Sequence, residues 1–362
     1  MKPTVKLLTE YFVRTHGAEP ESIEVHTLGR GSHGQGFRVS FVSGGRPMRL
    51  IVKTLDGRIG LGHDHPSDRA AVFLLARENY GRLPRHVQAS DVLAFDPGRG
   101  IFSIDGGREY YLVMEEAAGE SYFGDLEAMA GRERLSGRDR RRIKALVSYL
   151  AGIHKKKKGS PGLYYRKLRD TIGHGECLMG VFDTYVDGAG FTNLAEMADI
   201  EKSCVDWRAR LKPLAHRLSV VHGDFHPGNI LFDGPGSFTL LDRSRGEFGE
   251  PADDLTALTV NYVFHSLMRH GKIAGAYDEA MRLFFEKYIA RSGDYDITGV
   301  VAPFFAFRGA VVANPMFYPG VTPETRAKIF GFVHGVLGSD RFEPSEVNGY
   351  IEAGLKYRER FI

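Results

Sequence analysis

Alternation of apolar and polar residues predicts short β-strands in the first third of the chain, and helical periodicity predicts a mainly helical remainder. The strand patterns cover residues 22–28, 37–42, 48–53, 92–95, 101–104 and 110–114, with turn residues between them. Ser43-Gly44-Gly45-Arg46-Pro47 separates the second and third patterns, which predicts a β-hairpin. Residues 3–16 are expected to form a short amphipathic helix.

Helical spacing of apolar residues is clearest after residue 140. A helix over residues 140–154 is predicted by Ile143, Leu146, Val147, Leu150 and Ile153. Two further helical faces are formed by Leu255, Leu258, Tyr262 and His265, and by Tyr277, Met281, Phe284, Phe285 and Tyr288. Aromatic residues at this spacing are typical of a core. The stretch from Arg308 to Pro319 contains Asn314-Pro315 and Tyr318-Pro319, which predicts a loop before the last helices.

Length and composition indicate a soluble globular protein of two lobes. The chain has 362 residues, with 43% hydrophobic and 26% charged residues. Cys177 and Cys204 lack metal-type spacing and fit a reducing cytosol. The N-terminus has no sustained apolar segment, so we expect that it is not a signal peptide. The longest apolar run, residues 300–307, is too short to span a bilayer, so we expect a cytoplasmic protein without a membrane partner.

Charge is unevenly distributed along the chain. Residues 132–169 hold 14 of the 48 Lys and Arg residues, which leaves 34 basic and 43 acidic residues elsewhere. The run Lys155 to Lys158 is consistent with nucleic acid or anionic lipid as a partner. A solvated loop at a helix end is the preferred interpretation, because positive charge is favoured there. Nucleic-acid binding is the weaker hypothesis, since only Tyr164 and Tyr165 offer stacking rings in this segment.

The densest chemical pattern lies at residues 220–242. His222-Gly223-Asp224 follows a β-branched pair, Asn229 comes five residues after Asp224, and Asp242 lies beyond a turn. The first carboxylate can accept or orient a hydroxyl proton. The amide oxygen and the second carboxylate are hard ligands that suit Mg²⁺ beside nucleotide phosphates. The spacing therefore predicts phosphoryl transfer.

This stretch resembles the aminoglycoside phosphotransferase family of small-molecule kinases, whose catalytic loop is His-Gly-Asp-x-x-x-x-Asn. The resemblance implies an α+β, bilobal, protein-kinase-like fold. Residues 1–116 would form an N-terminal nucleotide-binding lobe with an antiparallel sheet, and residues 117–362 a larger, mainly helical lobe for catalysis and acceptor binding. It further implies Asp224 as the catalytic base, His222 as a residue that orients the loop, and Asn229 and Asp242 as magnesium ligands.

Two flanking features belong to the same resemblance. The segment around Pro251 and Leu255 is similar to the family's Gly-x-Pro-x-x-Asp-Leu, in which Asp254 would brace the catalytic loop. His154, at the end of the helix before the loop, is expected to pack or cap rather than to catalyse. Arg243 departs from the family, because relatives often carry a bulky apolar residue after the metal aspartate.

The N-terminal lobe carries candidate nucleotide ligands. The pattern G-x-G-x-x-G at residues 29–34 precedes a strand and not a helix, which favours a phosphate-binding hairpin over a dinucleotide loop. Lys53 ends a strand, where kinases place the lysine that binds the α- and β-phosphates, and Glu78 is its best helical partner. By resemblance, residues 115–118 would form the adenine-binding hinge. The candidate ATP-binding residues are Gly29, Gly31, Ser32, Gly34, Lys53, Glu78, Glu115 and Ala117.

These features predict an ATP- and Mg²⁺-dependent O-phosphotransferase whose acceptor is a small hydroxylated molecule: aminoglycoside-like, a sugar or an amino alcohol. A polycationic acceptor would need carboxylates, for which the candidates are Glu176, Asp183, Asp187, Glu247 and Glu250. A protein kinase fits less well, because His226 stands where a lysine is expected and no activation segment follows Asp242. The alternative from another class is a nucleotide-binding pseudokinase or regulatory scaffold, suggested by Arg243 and the basic segment.

Overall fold

The computed structural model describes residues 4–16, 19–31, 34–56, 66–98, 100–102, 104, 109–185 and 190–361. The chain forms two compact units. The first unit consists of Met1–Ala118 together with Thr239–Gly246, and the second of Gly119–Phe238 together with Glu247–Ile362. The chain passes to the second unit after Ala118, and the short segment Thr239–Gly246 belongs again to the first unit.

The first unit contains an antiparallel sheet. Its helices and strands are α1 (Val5–His16), β1 (Ser22–Arg30), β2 (Gly34–Ser43), β3 (Arg46–Leu55), α2 (Pro66–Asn79), β4 (Ala89–Asp96), β5 (Gly100–Phe102) and β6 (Glu109–Glu115). The strand order is β1-β2-β3-β6-β4-β5. The hairpin expected between the second and third strands is confirmed, with Ser43 opposite Arg46.

Both faces of this sheet are covered because its strands alternate their side chains. On one face, Phe37, Val39 and Phe41 of β2 pack in a buried cluster with Leu8 and Phe12 of α1. On the other face, a second cluster joins strand residues to α2 and contains Ile51, Leu112, Met114, Phe73 and Ala76. The two clusters fix β3, and with it Lys53, between two helices of the same unit.

The second unit is mainly helical. Its elements are β7 (Glu120–Ser121), α3 (Tyr122–Met129), α4 (Gly137–His154), α5 (Pro161–Gly173), α6 (Leu178–Phe182), α7 (Leu194–Leu211), β8 (Ser219–Val220), β9 (Ile230–Phe232), β11 (Phe248–Gly249), α8 (Pro251–His270), α9 (Gly275–Ser292), α10 (Ala302–Ala313), α11 (Pro323–Leu337) and α12 (Val347–Arg358), while β10 (Phe238–Leu240) carries the chain back to the first unit. The predicted α+β class is therefore confirmed. Within the described ranges, no helix combines the length and the apolar character that crossing a membrane requires.

The prediction of a loop from Arg308 to Pro319 is wrong for its first half. Helix α10 continues to Ala313, and the irregular segment begins at Asn314. Pro315 disfavours helical geometry at the residue before it, which explains the end of the helix at this point. Arg308 thus lies inside a helix and not on a loop.

The basic segment is largely engaged in contacts inside the second unit. Arg132 bonds to Asp139, which belongs to the capping box of α4, and Arg142 pairs with Asp125. In the lysine run, Lys157 donates to Ser219 Oγ at 2.7 Å, and Lys158 lies 4.4 Å from the centroid of the Phe248 ring. These contacts give the segment a structural role in the helical unit.

Helices α11 and α12 approach each other closely through glycines. A Cβ atom on Gly354 would lie 1.7 Å from the carbonyl oxygen of Gly331, and one on Gly335 would lie 2.1 Å from the carbonyl oxygen of Tyr350. Backbone atoms of one helix therefore occupy the space that a side chain would fill. Only glycine fits at these positions without moving a helix.

We expect Gly354→Ala to lower the free energy of unfolding by about 1–3 kcal/mol, because the added methyl group forces the two helices apart. Gly349→Ala, on the exposed side of α12, is the matched control, since its nearest neighbour would be Glu346 Oε2 at 3.6 Å. Urea unfolding of both variants measures the difference. An unchanged stability of Gly354→Ala would contradict the close approach.

Candidate active site

The His-Gly-Asp segment lies in the loop between β8 and β9 of the second unit. Strand β8 ends at Val220 and pairs with β11, with Phe248 opposite Val220. Gly223 has a φ of +85°, a left-handed conformation that favours glycine. A 3₁₀ turn over Pro227–Asn229 follows, and His226 Nδ1 accepts a hydrogen bond from Gly228 N at 3.1 Å. Glycine therefore stands at the position of this loop where the backbone is left-handed.

Asp254, in the first turn of α8, holds this loop from below. Its carboxylate accepts hydrogen bonds from His222 N at 2.8 Å and from Gly223 N at 2.7 Å. His154 Nε2 lies 3.0 Å from the same carboxylate, and His154 Nδ1 lies 2.8 Å from the Tyr288 hydroxyl. Asp254 is fully buried. Asp254 thus braces the loop through its backbone, as expected. His154 packs beneath the loop and binds Asp254 and Tyr288.

Burial raises the pKa of the Asp254 carboxyl group, but the hydrogen bonds and charge interactions from His154 and His222 outweigh it. The net result is a pKa below the usual value. The group is therefore ionised at neutral pH although it has no exposed surface. An ionised carboxylate can hold both backbone N–H groups at once, which fixes the path of the loop.

Asp224 is bound by Arg308 and Asn229, and His226 lies nearby. Its Oδ1 accepts a hydrogen bond from Arg308 Nη1 at 2.6 Å. Asn229 Nδ2 donates to the Asp224 carbonyl oxygen at 3.0 Å and lies 3.4 Å from Oδ2. His226 Nε2 lies 3.8 Å from Oδ2. The two residues that the sequence pairs by spacing, Asp224 and Asn229, are therefore brought together.

His222 acts inside the loop. Its side chain is buried, and its Nδ1 accepts a hydrogen bond from Asp224 N at 3.2 Å. Its ring lies 5.8 Å from the ring of Phe225 in an edge-on arrangement. These contacts shape the backbone that presents Asp224.

Arg308 was not identified by sequence reasoning, because it lies 84 residues from Asp224 in a segment interpreted as a loop. A signal was present nonetheless. Residues 300–313 are apolar or small except for Arg308. A single charge in such a run must find partners when the run is buried, so it marks a candidate for an ion pair.

In the first unit, Lys53 pairs with Asp242, and the two groups are joined by a hydrogen bond from Nζ to Oδ1. The Tyr80 hydroxyl lies 3.4 Å from the same oxygen. Asp242 has a φ of +57°, a left-handed conformation that aspartate tolerates better than most residues. Two of the candidate ligands, Lys53 and Asp242, are thus adjacent.

The expected ion pair between Lys53 and Glu78 is not formed among the residues that the structure describes. Glu78 is exposed, since the buried side of α2 is occupied by Phe73 and Ala76. Tyr80, directly after the helix, reaches Asp242 instead. Burial, followed by the negative charge of Asp242, raises the pKa of Tyr80 well above its usual value, so the hydroxyl stays protonated.

Arg243, the departure from the family pattern, is fully buried. Its Nη1 donates a hydrogen bond to the Asn79 carbonyl oxygen at the end of α2, at 3.0 Å. Asp242 is therefore linked to Tyr80, and Arg243 to Asn79. The position at which a bulky apolar residue was expected here fixes a helix end through a guanidinium group.

The glycine turn between β1 and β2 is shaped by a close backbone approach. A Cβ atom on Gly34 would lie 1.8 Å from the Thr54 carbonyl oxygen, whereas Gly29 has no such neighbour within 4 Å. Gly31 N donates to Gly34 O at 3.1 Å. Ser32 lies outside the described residues. The candidate hinge residues Glu115 and Ala117 flank Glu116, which pairs with Arg38 at 2.5 Å.

One candidate acceptor carboxylate is excluded by its surroundings. Glu250 is buried, caps the start of α8, and is bound by Arg217 and by the Tyr164 hydroxyl. It therefore cannot line an open pocket. Asp183 is exposed, and Asp187 lies outside the described residues.

Comparison with known proteins gives a consistent result. The profile of the phosphotransferase enzyme family (APH) matches residues 27–282. No curated protein sequence is significantly similar to the chain. An ethanolamine kinase from Plasmodium vivax is similar in structure with a TM-score of 0.53 at 12% identity, over 96% of this chain and 86% of that one. At this identity the likeness concerns the fold.

Two further solved structures are more distant in shape. The choline kinase of Cryptosporidium parvum has a TM-score of 0.49 at 12% identity, over 99% of this chain and 95% of its own. A macrolide 2′-phosphotransferase type I has a TM-score of 0.48 at 16% identity, over 91% of this chain and 97% of its own.

We expect Asp254→Asn to lower the free energy of unfolding at pH 7 by about 3 kcal/mol, because an amide cannot accept from both backbone N–H groups and leaves a buried donor unpaired. Because the pKa of Asp254 is depressed on folding, its contribution is complete above the unfolded value of about 3.9 and is lost as the pH falls below it. Urea unfolding should therefore show a difference from the parent protein that shrinks below about pH 4.

Asp340→Asn is the matched control, since the Asp340 side chain is 97% exposed. It should unfold like the parent protein at every pH. An Asp254→Asn variant as stable as this control would show that the carboxylate does not hold the loop.

Proposed function

Because the chain belongs to the phosphotransferase enzyme family, we propose that it transfers the γ-phosphoryl group of ATP to a hydroxyl group of a small molecule, with Mg²⁺. Family membership makes it a small-molecule kinase. The nucleotide, the metal and the acceptor class are the parts that the proposal adds. The observation that carries them is the fixed geometry of Asp224, which is held by Arg308 and Asn229 on a loop braced by Asp254.

In the proposed mechanism, Asp224 orients the acceptor hydroxyl for in-line attack and accepts its proton. The transition state of phosphoryl transfer is loose, so positioning and charge stabilisation account for most of the rate enhancement. A carboxylate that is fixed through one oxygen and through its own backbone suits this task. His222, buried below it, keeps the loop backbone in place.

Asn229 and Asp242 each carry oxygen atoms of the kind that magnesium prefers. Asn229 uses its Nδ2 to bind the Asp224 carbonyl oxygen, and within the described residues its Oδ1 accepts no hydrogen bond. Asp242 provides a carboxylate. Magnesium prefers such hard oxygen ligands, and it commonly takes one or two from the protein and the rest from water and phosphates. When bound, the ion would neutralise charge on the phosphates.

The described residues contain no cluster of three or more His, Cys, Asp or Glu side chains suited to a metal ion. Lys53 would bind the nucleotide phosphates, together with backbone N–H groups of the glycine turn at residues 29–34. Glu115 and Ala117 would offer backbone groups to the base.

The acceptor is proposed to be a small hydroxylated molecule such as a sugar, an amino alcohol or an aminoglycoside-like compound. The burial of Glu250 removes one carboxylate from the set that a polycation would require. Arg243 was one reason for the pseudokinase alternative. Because Arg243 binds the Asn79 carbonyl oxygen at the end of α2, its presence is explained by structure and does not support that alternative.

We expect Asp224→Asn to reduce kcat by about 10²–10⁴-fold, because the group that orients the hydroxyl and accepts its proton is lost. ATP binding should be retained. The measurement is Mg²⁺-dependent ATP consumption against a panel of aminoglycosides, sugars and amino alcohols. Asparagine is preferred to alanine because its amide oxygen still offers Arg308 a partner, which protects the fold.

Two outcomes would contradict the proposed function. One is nucleotide binding without turnover of any acceptor in the panel by the parent protein, which would favour the pseudokinase. The other is full activity of Asp224→Asn, which would assign the carboxylate a structural task. A thermal unfolding curve for each variant separates loss of chemistry from loss of fold.

The ion pair between Lys53 and Asp242 in the first unit leads to a further prediction. Lys53→Met should weaken ATP turnover by at least about tenfold, since a charged hydrogen-bond donor to phosphate is removed. Glu78→Gln should keep turnover close to that of the parent protein, because Glu78 is exposed and Lys53 is paired with Asp242. Steady-state kinetics with ATP as the varied substrate test both. An equal loss in the two variants would restore Glu78 as the partner of Lys53.

A further inference from the structure

Arg308 connects helix α10 to the catalytic loop through both arms of its guanidinium group. Nη1 donates to Asp224 Oδ1 at 2.6 Å. Nη2 donates to Asp253 Oδ1 at 2.6 Å and to the Gly223 carbonyl oxygen at 3.2 Å. The group therefore binds the loop backbone, the loop carboxylate and a second carboxylate from the start of α8.

The Arg308 side chain is only 6% exposed, and the side chains of Asp224 and Asp253 are 23% and 14% exposed. Interactions among such groups are screened less than those at the surface. The planar guanidinium group offers donors in a fixed fork, so both carboxylates are held in defined orientations. Asp224 Oδ1 is thereby fixed, and Oδ2 is the oxygen that lies toward Asn229 and His226.

The loop itself supplies no permanent cation near Asp224. From His222 to Leu231 it contains neither lysine nor arginine. The residue two positions after Asp224 is His226, whose Nε2 lies 3.8 Å from Oδ2, beyond hydrogen-bonding distance. Arg308 of α10, 84 residues further along the chain, places a permanent positive charge at this carboxylate.

We propose that Arg308 is a positioning residue of the phosphotransfer reaction, which fixes Oδ1 of Asp224 so that Oδ2 is presented to the acceptor hydroxyl. This inference rests on the proposed function. It assigns Arg308 to the presentation of the base and not to binding of ATP or acceptor. Asp253 completes the arrangement by holding the second arm of the guanidinium group.

The proposal predicts a specific kinetic signature. Arg308→Met should lower kcat on the order of 100-fold, because a misplaced catalytic group loses rate while substrate affinity is kept. KM for ATP and for the acceptor should change little. Arg308→Lys should recover only part of the loss, because an ammonium group cannot hold both carboxylates in a planar fork.

The matched control is Arg358→Met. Arg358 is also buried, pairs with Glu196 and donates to the carbonyl oxygens of Phe191 and Ala327, all outside the catalytic loop. It should lose thermal stability and keep the kcat of its folded fraction. A second readout is rescue of Arg308→Ala by millimolar guanidinium, which should restore part of kcat if the missing group acts by occupying the site beside Asp224.

Three kinetic results would overturn the proposal. The first is a raised acceptor KM with unchanged kcat in Arg308→Met, which would make Arg308 an acceptor ligand. The others are a loss of activity that only follows the loss of folded protein, as in Arg358→Met, and a guanidinium effect that is equal in Arg308→Ala and in the parent protein. Crystal structures of the parent protein and Arg308→Met give a readout without turnover. The Asp224 carboxylate should rotate away from its parent orientation.

An unchanged carboxylate orientation in Arg308→Met would also overturn the proposal. If the parent protein phosphorylates no acceptor in the panel, the proposed function fails, and the two crystal structures still decide whether Arg308 positions Asp224. The two hypotheses are thus separated.

Discussion

The geometry of the candidate active site depends on the buried carboxylate of Asp254. It accepts hydrogen bonds from two successive backbone N–H groups, those of His222 and Gly223, which would otherwise be buried without partners. Its location in the first turn of α8 adds the favourable field of the helix N-terminus. His154 and Tyr288 complete the network from two other helices. The path of the loop is thus set by the packing of the helical unit beneath it.

Two buried arginines stabilise the segments that carry the two aspartates with proposed chemical roles. Arg308 holds Asp224 within the second unit, and Arg243 holds the segment after Asp242 within the first. In each case a guanidinium group from one element binds an oxygen of another, and a planar, permanently charged group does this with little freedom. Each proposed catalytic or metal-binding carboxylate is therefore fixed by its own unit.

Local sequence patterns predicted the parts of the structure that depend on local physics. Strand alternation predicted the strands of the sheet, and the turn residues from Ser43 to Pro47 predicted the hairpin. The spacing from His222 to Asn229 gave the loop, because its 3₁₀ turn and the left-handed Gly223 are formed by neighbouring residues. The contacts of Asp254 were expected from the family resemblance and are present.

The remaining features depend on contacts between residues far apart in the chain. Arg308 and Asp224 are separated by 84 residues, and Lys53 and Asp242 by 189. Glu250 has the sequence character of a surface carboxylate and is buried because Arg217 and Tyr164 meet it. Glu78 fails as a partner of Lys53 because the rotation of α2 is set by Phe73 and Ala76. The spacing of apolar residues along the chain predicts none of these contacts.

The return of Thr239–Gly246 to the first unit has a consequence for how the protein is made. During synthesis, the sheet and its helices can emerge early, yet the segment that carries Asp242 and Arg243 is translated more than a hundred residues later. At usual rates of elongation the delay is on the order of ten seconds. Until then, the ammonium group of Lys53 and the carbonyl group of Asn79 lack the partners that they have in the finished unit. The first unit therefore cannot form all of its contacts until residues 239–246 have been translated.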